Sequence, residues 1–215
     1  MSIRSANLGL FKIRTINNMQ EREIMGKSRR ERKRQREREN RIDWLKSVLS
    51  ASAAALIVVQ FVIPTAVYGR SMEPGFEHRD YLLIHKQAYV GEAEPERGDV
   101  IVFQSKLRDN NRGTLKKLIK RVIGVPGDIV EIREGKVYIN GEELKERYIK
   151  DGVTNGDVGP VVVPEGNYFC MGDNRLHSTD SRFLEVGFVE KDKIVGKVVF
   201  RLYPFSKFGM IGSTQ

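Results

Sequence analysis

Ser71 and Lys120 are the residues whose types and surroundings could do chemistry together. Ser71 lies in GRSMEPG, residues 69–75, between an arginine and a methionine, with a proline and a glycine close behind. Lys120 lies in KKLIKRVIGVPGD, residues 116–128, after Leu118 and Ile119 and ahead of Val122 and Ile123. If that segment is a strand, Leu118, Lys120 and Val122 share one face. A charged lysine on an apolar face is costly, and desolvation lowers its pKa. A shift from about 10.4 to near 8 costs only about 3 kcal/mol. A neutral amine is a competent general base for a serine hydroxyl. The plainer reading is a lysine that snorkels at a strand end, because Lys116, Lys117 and Arg121 beside it read as solvated. On this segment alone both readings stand.

Other candidates are weaker. His177 is the only histidine close to further serines, in GDNRLHSTDSR, residues 172–182, but that is a polar turn with no carboxylate marked as its partner. Cys170 sits in an apolar stretch and reads as a small core residue. One cysteine forms no internal disulfide, and with the scattered His78, His85 and His177 it offers no four-ligand zinc spacing, so no metal and no cofactor is expected.

These residues must be carried by something, and the chain divides plainly. Residues 1–46 hold 14 Lys+Arg and 6 Asp+Glu, a net +8 out of +9 for the whole chain. The run KSRRERKRQRERENRID, residues 27–43, reads as a solvated or membrane-surface tail. No aromatic residues interleave its charges, so nucleic acid is not an expected partner. Residues 47–69, SVLSASAAALIVVQFVIPTAVYG, carry no charge and are long enough to span a bilayer as a helix, with Trp44 and Tyr68 as interfacial anchors and Pro64 placed to kink or end the helix near its exit. The alternatives are a buried helix of a soluble protein and a cleaved signal peptide; the flanking charge opposes the first and the length of the apolar run the second. The positive-inside rule keeps the tail in the cytoplasm and puts the body, 70–215, on the outer face.

The body reads as β. RGDVIVF (97–103) is a turn and a short strand. DIVEIREGKVYINGEEL (128–144) holds two alternating strands about Glu134-Gly135, followed by an Asn140-Gly141 turn. Residues 161–174 give two more short strands and 193–205 another. The longest loops expected are 104–114 and 145–160. The fold class is therefore mostly β, antiparallel, behind one transmembrane helix, with no parallel βαβ unit.

Taken together, the apolar segment, SMEP, RGDVIVF, KRVIGVPGD and GDNRLHSTDSR resemble, in order and spacing over about residues 45–205, the bacterial type I signal peptidases, membrane-anchored endopeptidases of the serine–lysine class. The resemblance implies a nucleophile at Ser71, a general base at Lys120 and a lysine-orienting hydroxyl at Ser178. It implies ion pairs that brace the site among Asp173, Asp180, Arg182 and Arg121. The backbone N–H of Ser71 would serve the oxyanion. Some members place a serine two residues before the nucleophile; here that residue is Gly69, as in the single-spanning Gram-positive-like branch. Lysine where the endoplasmic reticulum and archaeal branch has histidine points to the bacterial branch. The implied partners are preprotein signal peptides, the lipid bilayer and a secretion translocase. The substrate would bind by strand addition between 65–70 and 117–120 and be cut after small residues at Ala-x-Ala type sites, in pockets lined by Met72, Phe76, Leu118 and Ile119. Phe205, Phe208 and Met210 read equally as interface-dipping or as ordinary surface or core residues.

Two other functions compete. A self-cleaving repressor of the SOS-response type needs an N-terminal helix-turn-helix and a soluble chain, and the sequence shows neither. A membrane-tethered β module without enzymatic activity requires no contact between Ser71 and Lys120, so that distance separates it from a peptidase.

Overall fold

The computed structural model describes Met25 and residues 33–38, 40–56, 59–109 and 113–212. Most of the basic tail lies outside the described residues, as do 110–112 of the first expected loop. The chain forms two compact units, Met1–Ile57 and Val58–Gln215.

The N-terminal helix, α1, runs Lys33–Phe61 and is long and apolar enough to cross a membrane. It begins well before residue 47 and stops eight residues short of 69. Residues Val62–Ala66, expected to be its last turns, form strand β1 instead. The reason is local. Pro64 has no N–H to give to residue 60, its ring clashes with that residue's carbonyl, and Val62, Ile63 and Thr65 are β-branched. Pro64 is tolerated in β1 because β1 is an edge strand.

The body is antiparallel throughout its described pairings. The strands that follow are β2 (Tyr81–His85), β3 (Val100–Arg108), β4 (Leu115–Gly124), β5 (Ile129–Arg133), β6 (Lys136–Ile139), β7 (Glu142–Glu143), β8 (Val158–Val162), β9 (Asn167–Met171), β10 (Val189–Glu190), β11 (Ile194–Tyr203) and β12 (Gly209–Met210). One sheet has the order β1-β2-β11-β3-β4-β9-β10, with β12 on β11; the other has the order β7-β6-β5-β8. The expected loop 104–114 is shorter than the sequence suggests, since 104–108 continue β3 opposite β4. The second loop, 145–160, ends in the first residues of β8. β8 and β9 follow one another in the chain but do not pair; β8 joins β5 and β9 joins β4. The turn between them therefore passes from one sheet to the other.

β4 positions the site because it serves three apolar clusters. Ile119 packs on the first, built from Val67, Met72, Phe76, Leu82, Ile84, Val100, Val102 and Val198. Ile123 belongs to the second, which joins the two sheets through Val130, Ile132 and Phe169. Leu118 and Val122 both pack in the third, with Ile101, Phe103, Tyr168 and Cys170. The strand alternation expected for Leu118, Lys120 and Val122 is thus the observed one.

Candidate active site

The nucleophile candidate is carried on a turn. After Ala66 the chain leaves β1, bends at Gly69 with φ 101°, and folds through residues 70–76. The Glu73 N–H donates to the Arg70 carbonyl at 3.2 Å and the Phe76 N–H to the Met72 carbonyl at 2.8 Å. Met72 and Phe76 pin this turn by burying their side chains in the first cluster, where they are 1% and 3% exposed. They therefore hold the floor of the site and present almost no surface to a ligand. Leu118 and Ile119 are half-buried and do present surface.

Lys120 sits opposite Ile101 in the β3–β4 ladder and is 2% exposed. Its Nζ lies 2.7 Å from Ser71 Oγ. Burial is the main cause that pushes its pKa down, to about 8, while Asp180 and Asp173 pull the other way. The serine and the lysine, 49 residues apart in sequence, thus meet at hydrogen-bond distance with the amine desolvated.

Two strand edges flank this pair. β4 pairs with β9 only from Arg121 onward, so Leu118–Lys120 have no ladder partner on that side among the described residues. Among the described residues β1 pairs with β2 alone, on one side. Both edges offer free backbone donors and acceptors to an added strand.

The acidic and basic residues of the last motif form buried ion pairs. Arg121 donates from Nε and Nη2 to both oxygens of Asp173, at 2.9 and 2.7 Å, and from Nη1 to the Gly98 carbonyl at 2.8 Å. Arg121 is 3% exposed, which corrects its reading as a solvated neighbour of Lys120. Its side chain emerges on the opposite face of β4 from Lys120, and Asp173 supplies the charge that lets it be buried there. Arg182 grips both oxygens of Asp180 at 2.8 Å, and the Gly172 N–H donates to Asp180 Oδ2 at 3.0 Å. A Cβ at Gly172 would collide with Ser178 Oγ and the Ser71 carbonyl, so this turn and the Ser71 turn touch backbone to backbone.

Ser178 is 8% exposed, but its Oγ makes no hydrogen bond among the described residues. The expected bond to Lys120 is therefore not formed; the amine spends its close contact on Ser71 instead. His177 Nδ1 faces Asn174 Oδ1 at 3.2 Å and does not bond Ser71. Cys170 is wholly buried, and burial pushes its thiol well above the ordinary range, which suits a core residue. Phe205, Phe208 and Met210 are all exposed, which removes the core reading for them.

Sequence reasoning missed two bracing groups. Asn174 is fully buried beside the Ser71 turn. Arg175, 2% exposed, donates to Glu146 Oε2 at 2.7 Å and to the Gly172 carbonyl at 3.0 Å, and also bonds Thr154. The Tyr148 hydroxyl of the same loop donates to Glu146 Oε1 at 2.8 Å, and its ring lies under the Arg121 guanidinium, which sits 4.1 Å from the ring centre. Glu146 and Thr154 fall in a loop that reads as solvated, 29 and 21 residues from Arg175, and only tertiary structure brings them together.

A serine hydroxyl held against a desolvated amine, beside open strand edges, is an arrangement that a serine hydrolase can use. Sequence comparison makes this specific. The profile of the family described as signal peptidase, peptidase S26, matches residues 41–203. Signal peptidase I of Bacillus licheniformis is 36% identical over 176 residues, covering 77% of this chain and 90% of that protein. Signal peptidase I T of Bacillus subtilis strain 168 is 37% identical over 177 residues, 77% and 87% of the two chains. A crystal structure of a signal peptidase I from Enterococcus faecalis V583 shares 35% identity, with 50% of this chain and 98% of that one covered and a TM-score of 0.40. The chain belongs to the signal peptidase family, peptidase S26. It is a serine peptidase of a family whose members remove signal peptides.

The Arg121–Asp173 pair gives a stability prediction. Arg121→Met leaves a carboxylate of 0% side-chain exposure without its partner. The expected loss is about 3–5 kcal/mol in urea unfolding of the detergent-solubilised chain. Replacing both residues, as Arg121→Met with Asp173→Leu, should restore much of it. A single variant that loses less than about 1 kcal/mol would show that the pair carries little of the bracing.

Proposed function

We propose that the protein is a membrane-bound endopeptidase that cuts signal peptides from exported preproteins, with Ser71 as nucleophile and neutral Lys120 as general base. The observation that carries this reading is the 2.7 Å contact between Ser71 Oγ and a lysine of 2% exposure. A tethered module without activity has no use for such a contact. When Nζ is neutral the bond runs from the serine O–H to the amine lone pair. Attack of Oγ on the scissile carbonyl then moves the serine proton to Nζ and the negative charge to the carbonyl oxygen, where the Ser71 N–H receives it. The lysine ammonium returns that proton to the departing amine. In the second half, Lys120 takes a proton from water, the hydroxide displaces Ser71 from the acyl group, and the proton goes back to Oγ.

The open edges of β1 and β4 support binding of the substrate as an added strand. The half-buried Leu118 and Ile119 leave room beside it for small side chains, in keeping with cleavage at Ala-x-Ala type sites. Asp173, Asp180, Arg121 and Arg182 hold the two turns without touching the scissile bond. Ser178 Oγ has no partner among the described residues to give up, so a rotation toward Lys120 would break no bond found there. Helix α1 is the membrane anchor in this reading, with lipid and a secretion translocase as partners.

Kinetics on the detergent-solubilised chain with an Ala-x-Ala peptide test the chemistry. Ser71→Ala and Lys120→Ala should abolish cleavage. So should Lys120→Arg, which keeps the charge but cannot deprotonate. The sign of the pH dependence follows from the need for neutral amine: kcat/KM should fall about tenfold per pH unit below about 8 and level off above it. Near-parental cleavage by Lys120→Arg would remove lysine as the base and turn attention to His177.

The basic tail, with 14 Lys+Arg against 6 Asp+Glu in residues 1–46, places the N-terminus in the cytoplasm in this account. Protease added to intact protoplasts should then degrade the body and spare the tail. A protected body would contradict this orientation.

A further inference from the structure

Asn174 holds two consecutive carbonyls of the nucleophile turn. Its backbone N–H donates to the Ser71 carbonyl at 3.0 Å, and its side-chain Nδ2 donates to the Arg70 carbonyl, also at 3.0 Å. In an extended strand successive carbonyls point to opposite sides, so one residue reaches both only because the chain turns at Ser71.

The second bond has a consequence for catalysis. The Arg70 carbonyl and the Ser71 N–H belong to one peptide unit, and the cis peptide bonds of the described residues are Glu73-Pro74 and Tyr203-Pro204 alone. The Arg70–Ser71 unit is therefore trans, and its C=O and N–H point in opposite directions. By seizing the carbonyl, the Asn174 side chain turns the Ser71 N–H to the far side and fixes it there. That N–H donates to nothing among the described residues. A donor bonded to the carbonyl also polarises the N–H at the other end of the same unit.

Asn174 is itself over-determined. It is fully buried, next to the ion-paired Asp173, and its own carbonyl accepts the His177 N–H at 3.0 Å. Its Oδ1 faces His177 Nδ1 at 3.2 Å, so a proton on Nδ1 sets which end of the amide meets Arg70.

We propose that Asn174 is a positioning residue that orients and polarises the Ser71 N–H as the oxyanion donor. This matters more here because Gly69 has no hydroxyl to act as a second donor. The inference rests on the reading of Ser71 as nucleophile.

The test uses the full chain in detergent, with Asn174→Asp, Asn174→Ala and Ser71→Ala. Asn174→Asp keeps the shape and the backbone bond but turns a carboxylate toward the Arg70 carbonyl. If it fails to fold, Asn174→Ala, which adds neither bulk nor charge, carries the same test. Both Asn174 variants should lose about 10–10³-fold in kcat, with KM within about twofold of parental. A reversible peptide aldehyde ending in alaninal adds the Ser71 O–H across its C=O and leaves an oxygen where the oxyanion forms. Its inhibition constant should weaken by the same factor as kcat/KM falls. In Asn174→Ala the pH midpoint of kcat/KM should stay near about 8, because Lys120 is untouched and no charge is added. A residue that only shaped the turn would lower Tm without this joint loss. Parental kcat and aldehyde affinity in a folded Asn174 variant, or a loss confined to KM, would overturn the proposal. If Ser71→Ala is inactive in that case, only the role of Asn174 fails. If Ser71→Ala still cleaves, the nucleophile assignment fails and the role of Asn174 with it.

Discussion

Desolvation of one amine organises the rest of the site. An ammonium at 2% exposure loses most of its hydration, and among the described residues no carboxylate pairs with Lys120 directly. Asp173 and Asp180 are near enough to raise its pKa, yet both are engaged by guanidinium groups, Arg121 and Arg182. Both arginines make the aspartates tolerable in the interior, and Arg182 also offsets part of the negative field that would otherwise hold a proton on Lys120. The loss of hydration then outweighs the remaining pull of the carboxylates, and the balance falls near about 8 rather than 10.5.

The same ion pairs govern geometry. Arg121 leaves β4 one residue after Lys120 and ties it to Asp173, which precedes Asn174. Asp180 accepts from the Gly172 backbone, and Arg175 returns to the Gly172 carbonyl. The turn that touches Ser71 is therefore fixed from β4, from its own downstream residues and from the loop bearing Glu146. The nucleophile turn has a second foundation in Met72 and Phe76, whose burial is hydrophobic and does not depend on the charged groups. An apolar anchor and a buried charged brace meet at Ser71.

Much of this was legible in the sequence where short-range pattern carries the information. Alternation about Lys120 and the turns at Glu134-Gly135 and Asn140-Gly141 survive intact, and the antiparallel β class follows from them. The ordered motifs brought Ser71 and Lys120 together before any coordinate did. What the sequence hid depends on contacts between distant segments. An apolar run that suits a bilayer also suits an edge strand, and Pro64 marks the change only once β2 is known to lie beside Val62–Ala66. Read from its own segment Arg121 looks solvated, because its partner is 52 residues away; only the family resemblance puts it among the bracing ion pairs. Met72 and Phe76 looked like pocket lining because proximity to Ser71 in sequence says nothing of the direction their side chains take. Ser178 showed a position and no bond, since a hydroxyl rotor is set by neighbours that sequence does not name.

The central claim is that Lys120 is an unusually acidic ammonium in the folded protein. The direct measurement is an NMR titration of the lysine side chains in the folded chain, with the Lys120 signal assigned by its loss in Lys120→Met. The account predicts that this one resonance titrates near about 8 while exposed lysines stay near their ordinary value of about 10.4. A Lys120 midpoint at or above about 10 would mean that the amine stays protonated at working pH, and would contradict the account.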